Sequence, residues 1–380
     1  MKNKEKKLIY KVFEGTNEVW FEKLKGSLKG KAKLIYLDPP YNTKRNRGAR
    51  KGYNDKNYDW KDTIEDIIKK AHFYLDDTGF LAISINQKEL FNLQPIVERI
   101  FNHDGKCFVG LFPVKIRHKD RQLMIGATVH DVYEYLLVYR KDKSSRFNVG
   151  YKKQKISDYL CGIKLLNKKP IIKEINKKKA EIYNEGEYEI IKKEPSKKNF
   201  RRYLIAGKIA TANWSGEFYE THLKNLGKNK LIKIYGLENQ GNGFRWFETS
   251  DGKRKSGVYF QSFEAGGRPI LLSNDEFNYT DKITYIYKEG GEGVDFKDSK
   301  KPEEMIKKII QVTTKKGDLI MDLFGGSGTT IASAIKTGRS CLTIEKEPKN
   351  VQIVKKRLEN LQKGLDLDRI KYIFKFEIKK

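Results

Sequence analysis

Two short stretches carry residue types that could do chemistry. The first is Asp38-Pro39-Pro40-Tyr41, which closes the apolar run at residues 32–37. Asp38 offers a carboxylate acceptor, Pro39 a carbonyl that can point outward, and Tyr41 a flat face. Together they could receive an exocyclic amino group: two acceptors take its two N–H bonds while its ring stacks on Tyr41. Asp-Pro-Pro is equally ordinary turn or helix-cap chemistry, so the tetrapeptide alone does not decide. The second stretch is Phe324-Gly325-Gly326-Ser327-Gly328-Thr329-Thr330, which follows an apolar run containing Asp322. Glycines there let the backbone pass close to a ligand, with N–H groups at a helix N-terminus. Glu345 ends the next apolar run, 17 residues past Gly328. An open α/β sheet places an acid at that point to hold the two ribose hydroxyls of a nucleotide. The dinucleotide glycine pattern is not met, because Ile331 follows where a third glycine belongs, and no phosphate-loop lysine is present. A nucleoside-like ligand is the reading, with a purely structural turn as the alternative.

The elements that must position these residues alternate between strand and helix. The run at 32–37 reads as a buried strand stopped by its prolines. Ile64, Ile67, Ile68, Ala71 and Leu75 then mark one face of a helix over 61–75, and residues 76–79 break it. A buried strand at 80–85, a helix over 89–101 and strands at 106–114 and 132–139 follow. The pattern resumes near Pro302 with a helix over 303–313, a strand at 318–324, a helix over 331–336 and a strand at 340–345. A last helix carries Val351, Val354, Leu358 and Leu361, and the tail after Gly364 adds an edge strand. Such alternation predicts a mostly parallel sheet with helices on both faces.

The middle differs. From 151 to 260 there are 25 Lys and Arg against 12 Asp and Glu, and glycines punctuate its second half. Hairpins and loops are expected there, in an inserted module over 148–285 that divides the chain into segments 1–147, 148–285 and 286–380. The whole chain of 380 residues carries 78 Lys+Arg against 49 Asp+Glu, a formal charge of +29. That excess points to a polyanion, most simply nucleic acid, with lysine-rich background usage as the plain alternative. The basic stretch with Lys44, Arg45, Arg47, Arg50 and Lys51 is a candidate for phosphate contacts. In the module Arg201, Arg202 and Arg245, with Asn239, Gln240 and Asn242, could read base edges. Three distant cysteines (Cys107, Cys161, Cys341) fit neither a disulfide framework nor a zinc site, and His72 and His130 lack ligand spacing, so no metal is expected. No apolar stretch is long enough to span a bilayer and the charged start lacks a signal segment, so the expected location is cytoplasmic.

Taken together, Asp38 to Tyr41 and Phe324, Gly326, Ser327, Gly328, Thr329 and Thr330 resemble the two motifs of the S-adenosylmethionine-dependent DNA amino-methyltransferases. The catalytic motif precedes the cofactor motif around a basic middle, the order of the β class. Tyr53-Asn54-Asp55 and Trp60 are similar to the segment after this turn in type III modification subunits. Lys301-Pro302 resembles the family's element around the methionine end of the cofactor. Gly325 sits where the motif varies, and Lys300 departs from the family's usual residues. The resemblance covers about 32–140 and 295–362. It implies a Rossmann-like α/β methyltransferase sheet of the seven-stranded type, circularly permuted, with the middle as a target-recognition module. It further implies transfer of methyl to adenine N6 of a base flipped out of double-stranded DNA, probing a catalytic turn of Asp38, Pro39, Pro40 and Tyr41. The cofactor residues would be Asp322, Phe324, Gly326, Ser327, Gly328, Thr329, Thr330, Glu345 and Lys301. A homodimer and a restriction subunit are the partners it implies; a membrane is not. Cytosine N4, adenine in RNA, a non-catalytic DNA-recognition subunit and, last, a nicotinamide-dependent oxidoreductase remain the alternatives.

Overall fold

A computed structural model describes residues 7–41, 60–102, 104–117, 131–151, 153–207, 210, 213–237, 242–265, 269–296 and 300–380. The chain divides into two compact units, Met1–Asn148 with Leu272–Lys380, and Val149–Leu271. The expected module boundary at 285 therefore moves back. Leu272, Phe277, Tyr279 and Ile286 pack into the core of the first unit, and their burial there outweighs the glycine-rich composition just before them.

The first unit is built on eight strands: β1 (Tyr10–Glu14), β2 (Ala32–Leu37), β3 (Leu75–Ile85), β4 (Phe108–Lys115), β5 (Tyr133–Arg140), β6 (Leu319–Asp322), β7 (Ser340–Glu345) and β8 (Glu377–Lys379). Their order is β8-β1-β7-β6-β2-β3-β5-β4. Pairing is parallel from β8 through β3 and antiparallel at β3–β5 and β5–β4. Helices α1 (Asn17–Leu28), α2 (Trp60–Tyr74) and α3 (Gln87–Phe101) contribute to one hydrophobic layer. The opposite layer takes α4 (Ile283–Lys288), α5 (Glu303–Thr313), α6 (Thr329–Thr337) and α7 (Pro348–Lys363). Strand alternation sorts the two layers: Leu34 and Tyr36 of β2 join the α5–α7 layer, Ile35 and Leu37 the α1–α3 layer. Both faces are covered, which is why these strands read as unbroken apolar runs.

Local signals set several element ends. Asn86 caps α3 by accepting from the Glu89 N–H at 2.9 Å, and α6 starts at Gly328 and stops at Gly338, both left-handed. Helix α2 stops at Tyr74, ahead of the break expected at 76–79, and β3 begins at Leu75, earlier than the expected strand start at 80. Strand β1 and helix α1 were not expected from the sequence, and β8 is the edge strand expected of the tail.

The second unit holds an antiparallel eight-stranded sheet. Its order is Tyr188–Lys192, Cys161–Leu165, Phe200–Leu204, Val258–Ser262, Gly243–Glu248, Leu231–Leu237, Lys178–Tyr183 and Ile171–Ile175. Hairpins dominate, as expected of the middle. One face packs Ile232, Ile234, Phe247 and Tyr259 with Phe218 and Leu223, and the other packs Leu231, Trp246, Val258 and Phe260.

Candidate active site

Parallel register decides what stands beside what. Asp322 of β6 pairs with Tyr36 of β2 on one side and Thr343 of β7 on the other. Asp38, Phe324 and Glu345 each lie two residues further along their chains, so all three sit level at the carboxyl edge of neighbouring strands. Adjacent strands are about 5 Å apart, which brings the Asp38 turn and the glycine turn side by side. Glu14 closes the row by pairing with Glu345.

At the first turn, Asp38 meets a lysine and a second acid. The Lys301 ammonium lies 3.2 Å from Asp38 Oδ1 and 2.7 Å from Glu134 Oε2, and donates to the Tyr41 hydroxyl at 2.8 Å. The Tyr41 hydroxyl is 3.3 Å from Asp38 and 3.2 Å from Glu134. Burial raises the pKa of Asp38; Lys301 pulls it down and Glu134 pushes it up, and the net displacement is upward. Burial disfavours the Lys301 ammonium, but Asp38 and Glu134 outweigh it and hold that pKa above the usual lysine value. Glu134 is held below the ordinary glutamate range: burial opposes its charge, and Lys301 more than compensates. Burial and both carboxylates push Tyr41 well up, so its hydroxyl stays neutral. Asp38 keeps 21% of its side-chain surface exposed, enough to meet a ligand atom. Beneath the turn, the Trp60 indole N–H donates to the Pro40 carbonyl at 2.8 Å.

The second turn is tightly braced. Gly326 and Gly328 have φ of +51° and +74°, the left-handed region that favours glycine. Gly325 has no such φ but a close neighbour: a Cβ there would meet Thr343 Oγ1 at 2.8 Å and the Ile344 carbonyl at 3.3 Å. The variable motif position is thus one where this chain needs glycine. Glu345 accepts from the Gly326 N–H at 2.6 Å, the Glu347 N–H at 2.8 Å and Asn350 at 3.2 Å. Burial still raises its pKa. Asp322 accepts from the Phe324 N–H at 3.0 Å, and burial pushes its pKa up to about 7 against the Thr330 and Phe324 hydrogen bonds. Ser327 and Thr329 share a hydroxyl contact of 3.0 Å. The Phe296 ring stands 3.8 Å from where a Gly326 Cβ would be, an aromatic wall beside the turn. A glycine bend, an acid and an aromatic wall fit a nucleoside with vicinal hydroxyls.

A sequence profile described as DNA methylase matches residues 32–356. The chain belongs to the DNA methylase family. Among curated relatives, the HindVI Mod subunit of Haemophilus influenzae is 26% identical over 93% of this chain and 51% of its own length. The type II methyltransferase M.KpnI of Klebsiella pneumoniae is 27% identical over 85% of this chain and 76% of its own length. The chain thus spans about half the length of the HindVI Mod subunit. Among solved structures, an M1.HpyAVI–SAM complex aligns with a TM-score of 0.42 and 13% identity, covering 91% of this chain and 98% of the other.

In this member of the DNA methylase family, four further side chains support the two turns. Glu134 sits near the start of β5, just past the pairing of Tyr135 with Ile85, the last residue of β3. Its one sequence signal is an acid inside the aromatic and apolar run 132–139. Trp60 was noted only as an echo of the family. Asn17, at the start of α1, donates to the Leu323 carbonyl at 2.8 Å just ahead of the glycine turn. Arg357 of α7 is fully buried; it donates to the Ser327 carbonyl and Thr329 Oγ1, each at 3.1 Å, and to Glu303 at 2.7 Å. Lys301, expected at the cofactor, has its ammonium against Asp38.

The nucleic-acid candidates of the second unit fare differently from one another. Arg201 pairs with Asp158 at 2.6 Å and stacks over Tyr203 at 4.9 Å, while Arg202 is 3.9 Å from Glu248 and well exposed. Arg245 is buried, bonded to Ser215 Oγ and stacked over Tyr259. It therefore braces the sheet and does not present a base-reading surface, because alternation along its strand turns it toward the packed face with Phe247. Lys44, Arg45, Arg47, Arg50, Lys51, Tyr53, Asn54, Asp55, His130, Asn239 and Gln240 lie outside the described residues. His72 packs edge-on against Phe101 at 5.0 Å, a core contact. Among the described residues no cluster of His, Cys, Asp and Glu could hold a metal, and no helix is long and apolar enough to cross a membrane.

Proposed function

We propose that this chain transfers a methyl group from S-adenosylmethionine to the N6 amino group of adenine in DNA. The observation that carries the reading is the level placement of the Asp38 turn on β2 beside the glycine turn after β6, with Glu345 next in the row. Family membership supports the reaction class. The cofactor set is Asp322, Phe324, Gly326, Ser327, Gly328, Thr329, Thr330 and Glu345, with Phe296 as an added wall. When bound, S-adenosylmethionine supplies an electrophilic methyl group and leaves as a neutral thioether.

The chain's own residues do the rest. Adenine N6 is a poor nucleophile because its lone pair is delocalised into the ring. Asp38 and the Pro39 carbonyl accept its two hydrogens, favour a more tetrahedral nitrogen and stabilise the positive charge that grows there as the new N–C bond forms. The proton leaves N6 after the transfer, so Asp38 need not be a strong base. The Pro40 carbonyl is already engaged by Trp60, which leaves the Pro39 carbonyl to serve as the second acceptor. A paired adenine cannot reach such a turn, so the base is flipped out and stacks on Tyr41. The catalytic-first chain order supports a circularly permuted methyltransferase domain, with unit Val149–Leu271 as its target-recognition module. Double-stranded DNA in the cytoplasm is the substrate, and a homodimer and a restriction subunit are the partners the type III likeness suggests.

Purified chain incubated with plasmid and labelled cofactor, followed by digestion to nucleosides, tests this directly. N6-methyladenine is the expected product, and Asp38→Ala should abolish it while cofactor affinity holds. N4-methylcytosine would move the target within the family. Tight DNA binding without turnover would replace the enzyme by a recognition subunit.

A further inference from the structure

Lys301, Glu134, Tyr41 and Asp38 form a closed cluster whose charges do not cancel. Asp38 and Glu134 contribute −1 each and Lys301 +1, so the cluster carries −1 when ionised. Tyr41 has one hydroxyl hydrogen and two carboxylates within reach, at 3.3 and 3.2 Å. The Lys301 ammonium lies closer to Glu134 (2.7 Å) than to Asp38 (3.2 Å). Were Glu134 missing, both the ammonium and the hydroxyl would turn wholly to Asp38 and fill the lone pairs that an incoming amino group needs. The cluster would also become neutral, and it would no longer stabilise the positive charge that methylation places on the nitrogen.

We infer that Glu134 and Lys301 are a positioning pair: Glu134 draws the Lys301 ammonium and the Tyr41 hydroxyl away from Asp38 and keeps the site at one net negative charge. The inference rests on the methyl-transfer reading of Asp38, and it names residues on two further elements as tuning that group. Lys301 orients Asp38 and limits its protonation, and Glu134 limits how tightly Lys301 holds it. The charged and titratable groups facing the cluster are Tyr36 from β2, Asp322 from β6, Arg117 beside Glu134, and the four members themselves. Glu134 raises the Asp38 pKa and Lys301 lowers it, so deleting one or the other moves that group in opposite directions.

The test is the titration of Asp38, read by NMR of 13C-carboxyl-labelled aspartate in wild type, Glu134→Gln and Lys301→Met, with Asp38→Asn identifying the signal. Methyl transfer to DNA is measured on the same samples across pH. Glu134→Gln should move the Asp38 midpoint and the acid limb of kcat down, and Lys301→Met should move both up. Losing one charge-assisted interaction at the site corresponds to about a tenfold fall in kcat for Glu134→Gln, with cofactor affinity within about twofold of wild type. Glu134→Asp, which keeps the charge on a shorter arm, should restore the midpoint toward wild type. Two shifts of the same sign, or an unmoved midpoint with unchanged kcat, would overturn the pair. Opposite shifts in a wild type that transfers no methyl would leave the electrostatic pair standing and overturn the reading of Asp38 as a methyl-transfer residue.

Discussion

Arg357→Met is the most demanding perturbation of the ground beneath the glycine turn. The guanidinium is fully buried and makes three hydrogen bonds, two of them to Ser327 and Thr329. Its third partner, Glu303, is itself buried. Burial alone would raise the Glu303 pKa, yet Arg357 first and Lys336 second pull it down to about 2. Removing Arg357 leaves that carboxylate with Lys336 at 2.8 Å and Lys307 at 3.6 Å. Truncating one side of a buried ion pair costs about 3–5 kcal/mol. Because Lys336 and Lys307 still compensate, the lower end, about 3 kcal/mol, is expected here. The two units need not unfold together, so the readout should be local: amide hydrogen exchange in α5 and α7, where about 3 kcal/mol corresponds to roughly 150-fold less protection. Glu303 also fixes the sign of the pH dependence. Its folded pKa is depressed, so its contribution is present above the unfolded value of about 4.3 and is lost as pH falls toward 2. The gap between wild type and variant should therefore close in acid. Adding Glu303→Gln to Arg357→Met removes the orphaned charge and should recover part of the loss. Protection reduced less than about fivefold, or a double variant as weak as the two losses added, would refute the reasoning.

Two further substitutions read the two turns separately. Trp60→Phe keeps the buried ring but deprives the Pro40 carbonyl of its donor, which costs about 1–3 kcal/mol; kcat should fall with thermal stability, while cofactor affinity measured by calorimetry holds. Gly325→Ala drives a methyl against Thr343 Oγ1 and the Ile344 carbonyl, and since the carbonyl is strand backbone it cannot yield cheaply; about 1–3 kcal/mol of overpacking is expected, seen as weaker cofactor binding, with Thr343→Ala relieving the shorter contact.

The legible part of the molecule was the part whose signal is local. Apolar runs ending in Asp38 and Glu345, and the glycines after Asp322, each announce a strand end, and parallel strands put their ends along one edge whatever the sheet order. That is why the two turns could be expected together from sequence. The helices α2, α3, α5 and α7 were legible for the same reason: their apolar spacing repeats within one element. Strand β1 is five residues long and amphipathic only in part, with too little pattern to stand out. Helix α2 ends at Tyr74, just before the break expected at 76–79, and the turn chemistry of Asp76 to Gly79 shows as an irregularity in β3, where pairing with β2 passes from Leu75 to Phe80.

What sequence could not reveal is charge that matters through its partners. Arg357 and Glu134 look like the solvated face of a helix and a stray acid in a strand, and nothing at spacing 3, 4 or 2 marks either. Their meaning arises from contacts 54 and 167 residues away, to Glu303 and Lys301 respectively. Buried charges of this kind are tolerated only when paired, so each ties a distant segment to one register. Lys301 shows the consequence. Sequence resemblance placed it with its neighbour Pro302 near the cofactor, and two carboxylates, on β5 and at the end of β2, hold its ammonium. A residue's place beside a motif therefore identifies the element it belongs to, and the charge it must neutralise identifies what it does.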